Sequence, residues 1–207
     1  MLYTTLRTPL TVGLTVLLLT LCATAPVRAQ EAAQQDIRQM LEQRDRQIKS
    51  ILQGDTTFTS QQRDELQTLI NGLVDFRAMG QHALGPFWED LSAAQRNEFV
   101  DVFRDIVRSQ SLADLEVYNS EVTYNTIEVE GDSAFVRTAT TYRGTSANVD
   151  YVLERQDATW LAEDIIVDGV STAESYARSF QTVVRKRGFE ALMTSLRKKR
   201  DQIAARN

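Results

Sequence analysis

The sequence predicts an α+β fold in a single domain, residues 30–207, behind a secretory signal at residues 1–29. Three observations predict it. Apolar residues recur at helical spacing between Ile37 and Val107, at every second position between Val122 and Val167, and at helical spacing again after Ser171. Blocks of one element type, without strict alternation of strand and helix, favour α+β over α/β. The strand block is broken by short turn signals, which imply an antiparallel meander.

The N-terminus has the marks of a processing signal. Arg7 is followed by an apolar run from Leu10 to Cys22, shorter than the ~20 residues a bilayer span needs. Val27-Arg28-Ala29 fits the small-residue rule for cleavage, with Gln30 as the new N-terminus. Cys22 is the sole cysteine and falls inside this segment, where Leu21 is too large for a lipoprotein signal. The mature chain therefore has no disulfide framework, thiolate nucleophile or cysteine metal site.

The whole chain carries 23 Lys+Arg and 28 Asp+Glu. Residues 1–29 contain Arg7 and Arg28 and no acid, which leaves 21 against 28, a net charge of −7. An acidic body argues against general nucleic-acid binding, which requires clustered Lys and Arg on phosphates.

The first expected helix carries Ile37, Met40, Leu41, Ile48, Ile51 and Leu52, with Gly54 as its stop. Thr59 and Gln62 form a capping box before a second stripe of Leu66, Leu69, Ile70 and Leu73. Asp75 caps a short helix with Phe76, Met79 and Ala83, closed by Gly85-Pro86, the only proline of the mature chain. Ser92 and Gln95 form another capping box, opening a helix with Phe99, Phe103, Ile106 and Val107 on one side.

In the strand block Val122, Tyr124 and Thr126 alternate with polar neighbours, as do Ala134, Val136, Thr138, Thr140 and Tyr142, and then Val149, Tyr151 and Leu153. Trp160 to Val167 is apolar on both faces. Turns are expected at Glu130-Gly131-Asp132, Gly144-Thr145-Ser146, Gln156-Asp157-Ala158 and Asp168-Gly169. Ser171 and Glu174 read as a third capping box, before a helix with Tyr176, Phe180, Val183 and Val184. Gly188 separates it from a last helix with Phe189, Leu192, Met193 and Leu196 and a basic tail, Arg197 to Arg200.

Little here can carry catalysis. His82 is the only histidine, no Gly-x-Ser-x-Gly elbow exists, and one histidine cannot build a multi-histidine zinc site. Asp164 and Asp168 share a strand face and are candidates for acid–base work or Ca²⁺ binding, though Asp168-Gly169 also reads as a plain turn and Asp164 as a residue near a sheet edge. The glycines at 131, 144 and 169 are isolated, so there is no phosphate-binding loop. A hydrolase or isomerase using Asp164, Asp168 or His82 and a non-lipid periplasmic adaptor stand as alternatives to a binding role. The basic residues Arg185 to Arg187 and Arg197 to Arg200 either offset helix macrodipoles or form a docking patch for an acidic partner or surface.

An ordered set of residues resembles a known family. Asp75-Phe76, Met79, Leu84-Gly85, Trp88, Leu91-Ser92, Gln95, Phe99 and Phe103 look like the helical signature of the MlaC, or toluene-tolerance, family of periplasmic phospholipid-binding proteins. Asp150-Tyr151-Val152-Leu153, Trp160, Asp164, Asp168-Gly169-Val170-Ser171, Tyr176 and Phe180 look like its strand-to-helix signature. The sequence departs from the family pattern at Ala177, where an arginine is common, and at Gly80, where alanine is usual.

The resemblance implies a periplasmic, non-enzymatic carrier without cofactor or metal, and the acidic single domain is compatible with a monomer. Its curved antiparallel sheet is wrapped by N- and C-terminal helices, with an apolar cavity between sheet and helices. Phospholipid tails enter that cavity. The protein shuttles between an outer-membrane lipoprotein–porin complex and an inner-membrane ABC transporter with an MCE-domain ring, and so maintains outer-membrane lipid asymmetry. A divergent branch would carry a hopanoid or another apolar molecule. The expected lipid-binding residues are Phe76, Met79, Phe99 and Phe103 from helices and Val136, Tyr142, Val149, Tyr151, Leu153 and Ile166 from strands, the strand set depending on register.

Overall fold

A computed structural model of the chain describes residues 25–52, 58–112 and 115–205. The signal's apolar run and Gly54 lie outside the described residues. Helix α1 runs Ala25–Leu52, α2 Ser60–Asn71, α3 Phe76–Leu84 and α4 Ala93–Ser111. Strands β1 Val122–Glu130, β2 Ser133–Tyr142, β3 Thr145–Gln156, β4 Thr159–Val167 and β5 Val170–Ser171 follow. Helices α5 Thr172–Arg187 and α6 Phe189–Ala204 close the chain. The expected cleavage point after Ala29 falls in the first turns of α1.

The helix starts follow from side chains that satisfy free backbone donors. Thr59 and Gln62 make the reciprocal box, as do Ser92 and Gln95. The Asp75 carboxylate accepts from the N–H groups of Arg77 and Ala78. At the C-terminus of α3, Gly85 adopts φ +55°, and a 3-10 turn over Gly85–Trp88 follows. A side chain at Gly85 would be strained in that conformation and would strike the Gln181 amide of α5. The third expected box is only half formed. Ser171 accepts from the Glu174 N–H, while the Glu174 carboxylate turns to His82 at 3.0 Å.

The sheet is an antiparallel meander in the order β1-β2-β3-β4-β5. Arg143-Gly144 and Asp168-Gly169 both place two residues at positive φ, the conformation that matches strand twist in two-residue hairpins. Two bulges change the alternation read from sequence. Between Tyr124 and Thr126 the β1–β2 register shifts, so Ile127 rather than Thr126 turns inward beside Val136. At Glu163 the β3–β4 register shifts, so Ala162 pairs with Leu153 while Asp164 pairs with Val152.

Strand β4 is where the sheet meets α3 and α5. Its Ala162 donates to the Leu73 carbonyl (2.7 Å) and accepts from the Asp75 N–H (2.9 Å), so the segment entering α3 lies as a parallel bridge along its edge. Further along, β5 pairs with Ile166 and Val167. The Asp164 carboxylate binds the start of α5: it accepts from the Ser171 hydroxyl (2.5 Å) and the Ala173 N–H (2.9 Å), and from its neighbour Ile165 N–H (2.8 Å).

The buried apolar residues form separate cores. One joins α3 to α6 around Met79, Trp88, Phe99, Phe103, Phe180 and Met193. A second packs Ile37 and Leu41 of α1 with Leu73 against Ile127, Val136, Leu153, Trp160 and Ala162 of the sheet. A third, smaller one holds the end of α1 to α2 through Ile48, Leu52 and Leu66. Gly80 lets α3 approach α4: a Cβ there would lie 3.0 Å from Phe99 and 3.6 Å from Phe103.

Because Asp164 ties β4 to α5 with charge-assisted bonds, Asp164→Ala is expected to lower unfolding free energy by roughly 2–4 kcal/mol, since it strands partly buried donors. Ser171→Ala should cost about 1 kcal/mol, the usual worth of a cap. Urea denaturation measures both, and an Asp164→Ala protein as stable as the wild type would refute the clamp.

Candidate functional site

Directly paired residues of antiparallel strands project to the same side of a sheet. The register therefore places Tyr124, Ile127 and Val129 of β1, Ala134, Val136, Thr138 and Thr140 of β2, Val149, Tyr151 and Leu153 of β3, and Trp160, Ala162 and Ile165 of β4 on one face. Helix α1 covers part of this inner face with Ile37 and Leu41. The other face carries Glu128, Phe135, Arg137, Asp150 and Val152, none of them buried. One face is thus apolar and roofed by helix, the arrangement in which a sheet can hold an apolar ligand.

The ten residues expected at the site do not gather in one place. Met79, Phe99 and Phe103 are almost fully buried in the helical core, where Phe99 and Phe103 stack at 5.7 Å and Tyr176 meets Phe103 edge-on at 4.9 Å. Val136, Tyr151 and Leu153 belong to the core between α1 and the sheet. Phe76 is buried in neither core, at the point where the chain leaves β4 for α3. Val149 is half-buried, paired to Thr138 and Val167. Tyr142 stands at the far end of β2, its hydroxyl 3.4 Å from the Glu116 carboxylate.

Ile166 requires correction as an inward residue. It pairs with Asp150 and Ser171 and so lies on the face opposite Val149 and Tyr151. The bulge at Glu163 is the cause: it adds a residue to β4 and exchanges the parity of everything after it. Ile165 takes the inward place, opposite Tyr151. Sequence periodicity also missed the α1 roof and the phenols of Tyr118 and Tyr124. The roof was visible as an apolar stripe, but nothing local said which surface it would cover.

The polar groups at this face are electrically quiet. Burial pushes the Tyr151 phenol up to about 12, with the Asp45 and Asp150 carboxylates adding to it. Burial likewise raises Tyr118 to about 12, helped by Tyr151, and raises Tyr124, helped by Asp45. These phenols stay neutral at physiological pH. The Thr138 hydroxyl donates to the Val149 carbonyl, while Thr140 Oγ1 is shielded from solvent with no partner among the described residues.

The candidate catalytic residues are engaged in other ways. Asp168 accepts from the Asn148 N–H at 2.8 Å and forms the turn with Gly169, and Asp164 holds the start of α5. His82 and Glu174 pair on the surface, each side chain more than half exposed. Burial raises the Glu163 carboxyl, with Glu154 and Asp75 adding to the effect and His82 opposing it. Among the described residues no group of three or more His, Cys, Asp or Glu side chains is placed to hold a metal ion.

The buried phenols generate a pH dependence with a definite sign. A tyrosine raised from its ordinary value near 10 keeps its proton in the folded state after the unfolded chain has lost it. The stabilisation from Tyr118 and Tyr151 is therefore complete below about pH 10 and is lost as pH rises toward 12. Urea unfolding at successive alkaline pH values should show this loss, on the order of 1 kcal/mol per tyrosine for each pH unit. In Tyr151→Phe the slope should be shallower.

Residues 31–198 match the MlaC protein family. No curated protein sequence matches the chain significantly. Among solved structures the fold is similar to that of a phospholipid-binding protein from Ralstonia solanacearum determined in complex with a phospholipid, with a TM-score of 0.67 and 22% identity, over 83% of this chain and 98% of that one. The family match runs from the roof helix α1 through the whole sheet and into α6, and the chain belongs to the MlaC family.

Proposed function

We propose that this chain is a periplasmic lipid carrier. It holds the acyl tails of a phospholipid between its sheet and its helices and shuttles the lipid between an inner-membrane MCE-domain ABC transporter complex and an outer-membrane lipoprotein–porin complex, so maintaining outer-membrane lipid asymmetry. The observation that carries this reading is the apolar, helix-roofed inner face of the sheet in a chain of the MlaC family. The fold shared with a protein determined with phospholipid bound supports it.

The physical task explains why no catalytic constellation is needed. Each methylene exposed to water costs about 0.8 kcal/mol. A tail of roughly fifteen methylenes therefore resists leaving a bilayer by on the order of 12 kcal/mol. Apolar protein surface offsets that cost without any bond being made or broken. The tails would lie where the separate cores adjoin, along Phe76, Val149 and Tyr151, because layers that share no core residue separate at less expense than a single interlocked core.

The periplasmic assignment rests on the signal at residues 1–29. Cleavage after Ala29 would leave α1 to begin near Gln30, whose amide reaches the Val129 carbonyl at 3.0 Å and fixes the roof to β1. No helix among the described residues is long and apolar enough to cross a membrane.

Native mass spectrometry of the mature chain expressed in a bacterial periplasm tests the reading. A stoichiometric adduct with the mass of a diacyl phospholipid is expected. A hopanoid-like adduct would keep the carrier class and change the cargo. A lipid-free mass, together with failure to take up dioleoyl phosphatidylglycerol from vesicles, would favour an adaptor. Val149→Trp should reduce occupancy at least about two-fold in folded protein by filling tail space. Ile166→Trp, on the opposite face, should leave occupancy unchanged.

A further inference from the structure

Among the described residues, Arg108 is a half-buried cation with neither an anion nor a hydrogen-bond acceptor. Arg108, in the last turns of α4, is half-buried, and its Nε is shielded from solvent without a hydrogen-bond partner. Its side chain makes no ion pair or hydrogen bond with any described residue, and its guanidinium lies 5.6 Å from the centre of the Phe76 ring. Arg96, also half-buried on the same helix, shows the ordinary solution: its Nε donates to the Trp88 carbonyl and its Nη2 to Glu89. The polar groups just beyond Arg108 in the chain are engaged elsewhere: the Ser111 hydroxyl shares its proton between Asn71 Oδ1 (2.9 Å) and the Arg108 carbonyl oxygen (2.8 Å), and the Tyr118 hydroxyl donates to the Ser111 carbonyl.

A shielded guanidinium nitrogen without an acceptor is costly, and a guanidinium without a counter-ion more so. A neutral carbonyl would satisfy the nitrogen but leave the charge. A phosphodiester anion satisfies both, since its paired oxygens match the planar fork of the guanidinium. The position suits such a ligand. Phe76 directly follows Asp75, whose N–H bonds the β4 edge at Ala162, so an anion at Arg108 would lie beside the segment that joins the helices to the sheet.

We propose that Arg108 is the headgroup anchor of this chain, its guanidinium taking the phosphate of the lipid whose tails lie between the layers. This rests on the carrier reading and adds a specificity to it: the ligand must bring an anion as well as tails.

The test uses mature protein stripped of lipid and offered an equimolar mixture of dioleoyl phosphatidylglycerol and dioleoylglycerol, which have the same tails, with uptake read by native mass spectrometry. Wild type should prefer the phospholipid by about ten-fold or more, the worth of one charge-assisted hydrogen bond. Arg108→Met should lose that preference while still taking dioleoylglycerol, and Arg108→Lys should recover part of it. Unchanged preference in Arg108→Met overturns the anchor, as does equal loss of both lipids, which would mark Arg108 as a packing residue. Equal uptake of both lipids by wild type overturns the anchor and leaves the carrier, whereas uptake of neither overturns both. Inorganic phosphate provides the last arm. If millimolar phosphate raises the melting temperature of lipid-free wild type but not of Arg108→Met, and lipid preference is absent, the site takes free phosphate and the headgroup assignment fails.

Discussion

Two backbone hydrogen bonds at Ala162 join the halves of the molecule. Its N–H reaches the Leu73 carbonyl and its carbonyl receives the Asp75 N–H, so the chain leaves α2, lies briefly along the sheet, and enters α3 from there. The same strand, two residues on, holds the start of α5 through Asp164. Helices that precede the sheet and helices that follow it are thereby fixed to one edge. Asp75 serves twice, since its side chain also caps α3 and accepts from the Gln156 amide at 2.5 Å. An edge strand ordinarily presents unpaired backbone groups to solvent. Here the backbone groups of Ala162 hold the entry to α3, while the Asp164 side chain holds the start of α5.

This edge attachment explains why the apolar interior is divided. Helices α3 to α6 pack largely on one another, with Phe99, Phe103, Tyr176 and Phe180 forming an aromatic group whose rings lie 4.9–6.0 Å apart. The inner face of the sheet is left for α1, which is fixed there by Ile37, Leu41 and the Gln30 amide. A single close-packed core resists opening, because every displaced side chain forfeits contacts on all sides. Two cores joined along one strand concentrate the weakness at their junction. For the proposed carrier, which would admit long apolar tails and release them, such a junction would be the useful form of instability.

The legible part of the fold was the part decided locally. Thr59-Gln62, Asp75, Ser92-Gln95, Gly85 and Asp168-Gly169 each act within a few residues of their own position, and the structure places a cap, a stop or a turn at each. What periodicity missed was decided at a distance. Bulges at Asn125 and Glu163 arise between strands, and one extra residue moved Ile166 to the wrong side of the sheet. Glu174 left its capping box because His82, distant in sequence, offered it a partner. The candidate site suffered most, since a set of apolar residues says that burial will occur but not with which neighbours. Met79 and Phe99 had the same appearance as Val136 and Leu153, yet they belong to a different core.

The basic C-terminus shows how structure can divide a charge run between architecture and surface. Arg197 is tied to the fold: its guanidinium bonds Glu98 of α4 and lies 4.0 Å from Glu190 of its own helix. Arg200 pairs with Asp201 beside it. Arg185, Lys186 and Arg187 occupy the last turn of α5, where they offset the macrodipole while remaining exposed. Together with the exposed Lys198 and Lys199, they are the cations of this region left facing solvent. Any electrostatic attraction toward an acidic partner would therefore come from the end of α5 and from those two lysines. Arg197 instead fixes α6 to α4, on the helical side of the molecule.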